Sequence, residues 1–318
     1  MQFSTPVSLS DFSFRLNPAS GGVVIGSCFA EYIGERLQKT LSKGQVVVNP
    51  FGVQYNPMSI AIALNDLMRE EPLEDKYYFE GRDDLWHSWM HSGAFSASTR
   101  EACVEMVEAA REEATTMLRK ADFLMVTFGT SRVYRHLEGG GLVSNCHKEP
   151  AAIFREEDVS FLELERVWRG LHRALHGFNP HLQIVFTVSP YRYAKYGMHA
   201  SQVSKAKLLL LIDALQSRLD NIHYFPAYEI VLDELRDYRF FKADMLHPNE
   251  QAIDYVWERW QEVAFTPELH AFASERQALQ RDLAHRPLHP DSEAHRKFTE
   301  NLRHRLEVFE QKWGVSAN

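Results

Sequence analysis

A serine and an Asp-x-x-His pair are the residues whose types and spacing could perform chemistry in this chain. Ser27 follows the apolar run 22–26 (GVVIG), which predicts a buried strand, and it precedes a helical pattern. Asp244 stands three residues before His247, directly ahead of a helix that Pro248 is expected to open. An aspartate so placed can fix the tautomer of the imidazole, whose other nitrogen then accepts a serine proton. These residues therefore indicate a serine nucleophile with its base and its orienting acid.

The same three residues also have simpler interpretations. Ser27 could be only the N-cap of a helix, because small residues are common in such turns. Asp244 and His247 could cap a loop or supply two ligands to a metal site. A strand-end serine in an α/β chain would lie at the ligand-binding edge of the sheet, with its N–H ready to stabilise an oxyanion. The combination favours nucleophilic catalysis.

Short apolar runs alternate with longer amphipathic segments along the chain. This alternation is typical of a parallel sheet covered by helices. The expected strands are 22–26, 45–48, 122–127, 182–188 and 222–225. The segment 74–98 is expected to be irregular. The predicted class is therefore α/β, with a central parallel sheet of about five strands.

The strand pattern ceases after residue 265. Two helical stretches follow, 267–284 and 292–313, with Pro287 and Pro290 between them. We therefore expect an α/β domain over 1–265 and a C-terminal helical extension over 266–318. One stripe of the last helix carries Phe298, Leu302, Leu306, Phe309 and Trp313. Such a stripe should cover the α/β domain, form a lid, or meet a second copy, and we expect a homodimer through it.

Composition excludes several classes of protein. The net charge of −8 over 318 residues argues against a nucleic-acid surface. The beginning of the chain lacks a signal-peptide pattern, and no apolar run is long enough to span a membrane. Three cysteines without CxxC spacing fit neither a disulfide framework nor a zinc site, so a cytoplasmic protein is expected. With no HExxH and no phosphate-binding glycine loop, we expect no cofactor.

Residues 26–30 (GSCFA) resemble the motif that names the GSCFA family, which is placed among the SGNH/GDSL-type hydrolases. The resemblance covers about residues 1–263 and implies a three-layer α/β/α, flavodoxin-like SGNH fold. Ser27 matches the serine block of those enzymes, and Asp244 with His247 matches the closing block. Further segments that look like the family are NCHK at 145–148, SK at 204–205, YFPAYEI at 224–230, DELRDYRF at 233–240 and DMLHP at 244–248.

The resemblance also implies an oxyanion hole. The N–H of Ser27 and that of Gly52, in the segment NPFG, would be its backbone donors. Ser131 stands where SGNH enzymes carry an asparagine that donates a hydrogen bond to the oxyanion. Loss of one such donor can lower the rate about a hundredfold. Either Ser131 donates instead, or Asn145 reaches in from the following loop. We favour Asn145, because its carboxamide is the same group.

Candidate substrate contacts are less specific. Trp86 and His87 lie in the irregular segment and could form an aromatic wall for a sugar or acyl group, or plug the domain edge. His147, close to Asn145 in sequence, could bind substrate or be an ordinary loop histidine.

Three other side chains have two interpretations each. Cys28 adjoins Ser27 and could be a second nucleophile, although core packing is the simpler role. Lys205 and Arg192 could contact an anionic substrate, or could form surface salt bridges.

Together these residues predict a serine esterase that acts on a small O-acyl ester, for which an acetylated carbohydrate is the first example to try. An O-acyltransferase with the same triad is an alternative. A non-catalytic binding protein on a degenerate SGNH scaffold is another. No nucleic-acid or membrane partner is expected.

Overall fold

The computed structural model describes residues 4–289 and 292–317. Its strands are β1 (Gly22–Gly26), β2 (Val46–Val48), β3 (Tyr78–Glu80), β4 (Trp86–Ser88), β5 (Phe123–Phe128), β6 (Arg132–His136), β7 (Leu142–Val143), β8 (Phe154–Asp158), β9 (Gln183–Val188) and β10 (Ile222–Tyr224). Its helices are α1 (Cys28–Thr40), α2 (Pro57–Leu67), α3 (Arg100–Lys120), α4 (Phe161–Phe178), α5 (Met198–Gln216), α6 (Ala227–Glu229), α7 (Glu250–Ala264), α8 (Pro267–Leu283) and α9 (Glu293–Trp313).

Five strands form a parallel sheet in the order β10-β9-β5-β1-β2. The prediction of an α/β fold with five central parallel strands is confirmed. Of these five strands β1 comes first in the sequence, and β2 lies next to it on one side. The later strands β5, β9 and β10 follow one another on the other side. The strand order therefore reverses between β1 and β5. In open α/β sheets the crevice at the carboxyl end of such a switch point is the usual ligand site.

Both faces of the sheet are buried, which explains why its strands are almost continuously apolar. Along β5, alternate residues belong to opposite cores, with Leu124 and Val126 on one face and Phe123 and Met125 on the other. The first core includes side chains of α2, α3, α4 and α5, and the second includes side chains of α1, α7, α8 and α9. Each fully buried aliphatic side chain contributes roughly 1.5–3 kcal/mol to folding.

Two small antiparallel sheets lie outside the central sheet. The hairpin β3-β4 lies in the segment expected to be irregular, so that expectation was wrong. Each of its strands has only three residues, too few for an alternating pattern to be recognised in the sequence. The second sheet has the order β7-β6-β8, with the glycine run 139–141 between β6 and β7.

The C-terminal helices pack on the second core. Leu302 and Phe309 of α9 are buried, and the ring of Phe309 lies 5.4 Å from that of Phe272 on α8. The buried guanidinium of Arg276 donates to the carbonyl of Ala317. The apolar stripe of α9 is therefore covered within the chain, whereas the homodimer stays a prediction.

Pro290, between these two helices, lies outside the described residues. No helix in the described ranges is both long and apolar enough to cross a bilayer.

Candidate active site

The turn that carries Ser27 depends on a glycine. Gly26 ends β1 with φ +144°, and a Cβ placed there would lie 2.3 Å from the carbonyl oxygen of Thr127 on β5. Its N–H donates to Oδ1 of Asn49 at 2.8 Å, and the N–H of Ser27 donates to the Thr127 carbonyl at 3.3 Å. The chain can therefore leave β1 sharply and enter α1 at the strand-order switch point, with Ser27 at the bend.

Ser27 occupies the N-cap position of α1 without acting as a cap. Its side chain accepts no hydrogen bond from the first turn of the helix. The residue is only 1% exposed, and its Oγ has no hydrogen-bond partner among the described residues. A buried hydroxyl without a hydrogen bond lowers the stability of the fold by roughly 1–3 kcal/mol, so a serine at this position is not explained by stability. The capping interpretation therefore does not account for Ser27.

The second part of the site is the loop before α7. Oδ2 of Asp244 lies 2.5 Å from Nδ1 of His247, and Oδ1 accepts the N–H groups of His247 at 3.0 Å and Leu246 at 2.9 Å. Hydrogen bonds from the backbone and the imidazole of His247 hold the pKa of Asp244 well below its usual range. An ionised Asp244 keeps a proton on Nδ1 and leaves Nε2 as the acceptor. The arrangement is that of a base held by its orienting acid.

Metal ligation finds no support around this pair. In the described part of the chain, no group of three His, Cys, Asp or Glu residues is placed to hold a metal ion.

Tyr191 lies between the two parts of the site. Its ring centroid is 4.2 Å from that of His247. The pKa of Tyr191 is raised by burial and, to a smaller extent, by the negative charges of Asp244 and Cys28. The tyrosine thus lies near both the His247 loop and the turn that holds Ser27. No hydrogen bond joins Ser27 to His247 within the described residues.

Arg192 fastens the loop after β9 to the loop of His247. Its N–H donates to the carbonyl of Leu246 at 3.2 Å, and its Nη1 donates to that of Met245 at 3.1 Å. A cavity of about 170 Å³ opens beside this junction. Its lining consists of Arg192, Val231, Leu232, Arg236, Asp237, Tyr238 and Phe241. The guanidinium is thus engaged by the loop rather than by a surface salt bridge.

Three of the expected oxyanion donors are engaged elsewhere. The N–H of Ser27 donates to the carbonyl of Thr127. The N–H of Gly52 donates to the carbonyl of Asn49 at 2.8 Å, closing a tight turn in which Gly52 has φ +80°. The hydroxyl of Ser131 is buried and donates to Oδ1 of Asp158 at 2.6 Å. None of these three groups is a free donor in this conformation.

The remaining predicted residues form a separate cluster around β4. Oδ1 of Asn145 accepts the N–H of His147 at 2.8 Å, and the ring of His147 lies 4.5 Å from that of His87. Trp86 packs against a small core of its own. In the described part of the chain, no hydrogen bond or ring contact links Asn145, Trp86, His87 or His147 to Ser27 or His247. The structure therefore does not bring these four residues to the serine.

Asn49 is a site residue that the sequence interpretation missed. It follows β2 with φ 42°, in the left-handed region that asparagine tolerates. Its Oδ1 accepts the N–H of Gly26, while its Nδ2 is buried and makes no hydrogen bond of normal geometry to any described residue. This amide lies near Glu31, whose pKa is raised by burial and lowered by Asn49 to a smaller extent. An asparagine directly after the second strand was the only signal in the sequence.

Comparison with known proteins assigns the chain to a family. Residues 23–260 match the model of the GSCFA family, and residues 277–317 match the model described as the GSCFA domain protein, C-terminal domain. No curated protein matches the chain significantly. A solved structure from Streptococcus pneumonia, described as a "putative platelet activating factor", has a TM-score of 0.41 and 13% identity over 77% of this chain and 83% of that chain.

Proposed function

The chain belongs to the GSCFA family, and from its site geometry we propose that it is a serine esterase of the SGNH hydrolase type. Ser27 is the nucleophile, His247 the general base and Asp244 the group that orients the base. One observation carries the proposal. The ring of Tyr191 packs on a carboxylate-bound imidazole, and the same tyrosine lies near Cys28, the neighbour of an unpartnered serine hydroxyl at the strand-order switch point.

The reaction proceeds by two acyl transfers. His247 Nε2 takes the proton of Ser27 Oγ while Oγ forms a bond to the ester carbonyl carbon. The tetrahedral intermediate then expels the alcohol, which receives that proton from His247. Water attacks the acyl-serine in the same way and releases the acid. Asp244 stays ionised throughout, because its oxygens accept three hydrogen bonds.

Substrate has to complete the contact between Ser27 and His247. Catalytic hydrogen bonds are often long or absent before substrate binds. Because Ser27 is buried, a covering side chain has to move to admit an ester. Tyr191 is the side chain best placed to do so, since it is near both Cys28 and His247.

The start of α1 provides donors for the oxyanion. Burial raises the pKa of the Cys28 thiol, but the backbone N–H groups of Phe29 and Cys28 act in the opposite direction. These N–H groups therefore lie near the Cys28 sulfur at the start of α1, where the helix dipole also favours an anion. They can serve in place of Gly52 and Ser131.

A fluorophosphonate probe tests the proposal directly. We expect it to label Ser27, identified by peptide mapping, and we expect Ser27→Ala to abolish labelling while Cys28→Ser does not. A panel of short-chain esters, beginning with acetylated sugars, would then define the substrate. The choice of acetylated sugars rests on analogy with the wider SGNH group. No labelling and no hydrolysis in the folded protein would refute the proposal.

One observation favours a second candidate, a binding protein on a hydrolase scaffold. The N–H groups of Ser27 and Gly52 and the Ser131 hydroxyl are all satisfied internally, so three expected oxyanion donors are not free. A binding protein would bind an ester or a sugar in calorimetry without reacting with the probe. An O-acyltransferase would react with the probe and would transfer more acyl groups than it hydrolyses when sugar acceptors are supplied.

A further inference from the structure

Lys205 on α5 is a buried ammonium group next to the site. The residue is 2% exposed, and its Nζ donates to the carbonyl oxygens of Gly129 at 2.7 Å and Ser189 at 2.6 Å. It forms no salt bridge within the described ranges. Neither of its expected roles fits, because an enclosed side chain makes no surface salt bridge and cannot meet a substrate directly.

The two carbonyls have a special position in the sheet. Gly129 directly follows β5 and Ser189 directly follows β9, and β5 pairs with β1, which ends next to Ser27. The two carbonyl oxygens that Lys205 binds carry partial negative charge at this end of the sheet. That charge opposes the formation of an anion at Ser27. An ammonium group that binds both carbonyls reverses the sign of the local potential.

Two tyrosine rings face the ammonium of Lys205, which is protonated below about pH 7. The rings of Tyr193 and Tyr228 lie 5.4 Å and 5.7 Å from Nζ, within the range of cation–π attraction. Burial lowers the pKa of Lys205 to about 7, and the thiolate form of Cys28 raises it to a smaller extent. Lys205 in turn favours the thiolate of Cys28. The ammonium therefore acts electrostatically on the turn that holds Ser27.

We propose that Lys205 is a positioning residue whose buried charge, acting through the strand-end carbonyls, stabilises negative charge that forms at the Ser27–Cys28 turn. The catalytic half of this proposal rests on the proposed function. The electrostatic half does not, since Cys28 reports the potential at the turn whether or not the protein hydrolyses esters. Its half-buried thiol also experiences Glu31, whose negative charge acts against Lys205.

The test is made in the full-length protein with Cys103→Ser and Cys146→Ser, so that Cys28 is the reporter thiol. The rate of alkylation by iodoacetamide as a function of pH gives the pKa of Cys28. We expect Lys205→Met and Lys205→Gln to raise the pKa that Cys28 has beside the protonated lysine, so that the alkylation rate at pH 6.5, below the pKa of Lys205, falls at least about threefold. Gln keeps two N–H donors without the charge, which separates the charge from the hydrogen bonds. Lys207 lies on the same helix as Lys205 but pairs with Asp158, so it is the matched control. Lys207→Met should leave the alkylation profile unchanged.

Identical profiles in folded Lys205 variants and the parent would overturn the proposal. If neither variant folds, the pH profile of the parent protein decides. Its alkylation rate should rise less steeply with pH across the titration of Lys205, near pH 7, and a profile with a single pKa would overturn the proposal.

A kinetic measurement tests the catalytic half. Lys205→Gln should lower kcat on the best ester by about tenfold or more with little change in KM. A normal kcat in a variant whose Cys28 pKa has risen would refute the catalytic role alone. Absence of esterase activity in the parent would refute the proposed function and leave the alkylation result intact.

Discussion

Asp244 binds His247 twice, through Nδ1 of the imidazole at 2.5 Å and through the backbone N–H at 3.0 Å. The ring is therefore oriented by the same loop that carries it, and its orientation does not depend on a distant element. The carboxylate keeps its pKa well below the usual range, chiefly because the backbone N–H of His247 donates to it. Asp244 thus remains charged over the whole range in which an esterase would be assayed.

The first prediction concerns the triad. Ser27→Ala and His247→Ala should each lower kcat/KM for ester hydrolysis by about a thousandfold or more, because the covalent step requires both groups. Asp244→Asn should lower it less, since the imidazole remains but is poorly oriented. Circular dichroism should show that all three variants are folded. Full activity in Ser27→Ala would place the chemistry elsewhere, with Cys28 as the next candidate.

The second prediction concerns Asn49, which fixes the turn before Ser27. Asn49→Ala leaves the buried N–H of Gly26 unpaired, which should cost about 1–3 kcal/mol in the free energy of unfolding. It should also lower kcat, because Ser27 is no longer held at the bend. Asn49→Gly is the matched control, since glycine tolerates φ 42° without strain and lacks only the amide. Wild-type stability and kcat in both variants would show that the turn does not need this amide.

The sequence revealed those features of the fold and site that depend on local pattern. The strands of the central sheet were predictable because both faces of the sheet are buried, which makes a strand such as Phe123–Phe128 continuously apolar. The contact between Asp244 and His247 was predictable because both residues lie in one loop. The orientation of the Ser131 hydroxyl could not be predicted, because its partner Asp158 ends a strand that no sequence pattern indicated. The burial of Lys205 was equally hidden, since its partners are backbone carbonyls, which every residue carries.

The third prediction tests Asn145 as an oxyanion donor. In the structure its Oδ1 accepts the N–H of His147, its backbone N–H donates to the carbonyl of Trp89, and within the described residues no hydrogen bond joins its side-chain amide to Ser27. We therefore expect Asn145→Ala to change kcat by less than about threefold, whereas loss of an oxyanion donor would cost about a hundredfold or more. Steady-state kinetics with KM measured separately decides the matter. A hundredfold loss of kcat at constant KM would mean that the loop of Asn145 moves towards Ser27 when substrate binds.

The fourth prediction concerns stability in acid. His91 is buried, its Nδ1 pairs with the hydroxyl of Ser88 at 2.8 Å, and burial together with the charge of His147 lowers its pKa to about 3. In the unfolded chain the His91 imidazole binds a proton near pH 6.5, whereas in the folded protein it stays neutral down to about pH 3. The free energy of unfolding therefore falls as the pH falls from 6.5 towards 3. The limiting slope is about 1.4 kcal/mol per pH unit. Urea unfolding of His91→Gln over that range should show a shallower acid loss than wild type, and an equal slope would contradict the assignment.

The last prediction separates two roles of the stripe on α9. Phe309 is buried against Phe272, at 5.4 Å between ring centroids, and the ring of Trp313 lies 5.3 Å from that of Phe272. Phe309→Ala should therefore lower the free energy of unfolding by about 3–5 kcal/mol through the cavity that it leaves. Val308, nearly half exposed on the same helix, is the matched control, and Val308→Ala should cost less than about 1 kcal/mol. Light scattering on the same samples shows whether the oligomeric state changes. A dimer that dissociates in Phe309→Ala while each monomer keeps its stability would place the stripe in an interface, whereas a loss of stability with an unchanged mass would fix it as packing within the chain.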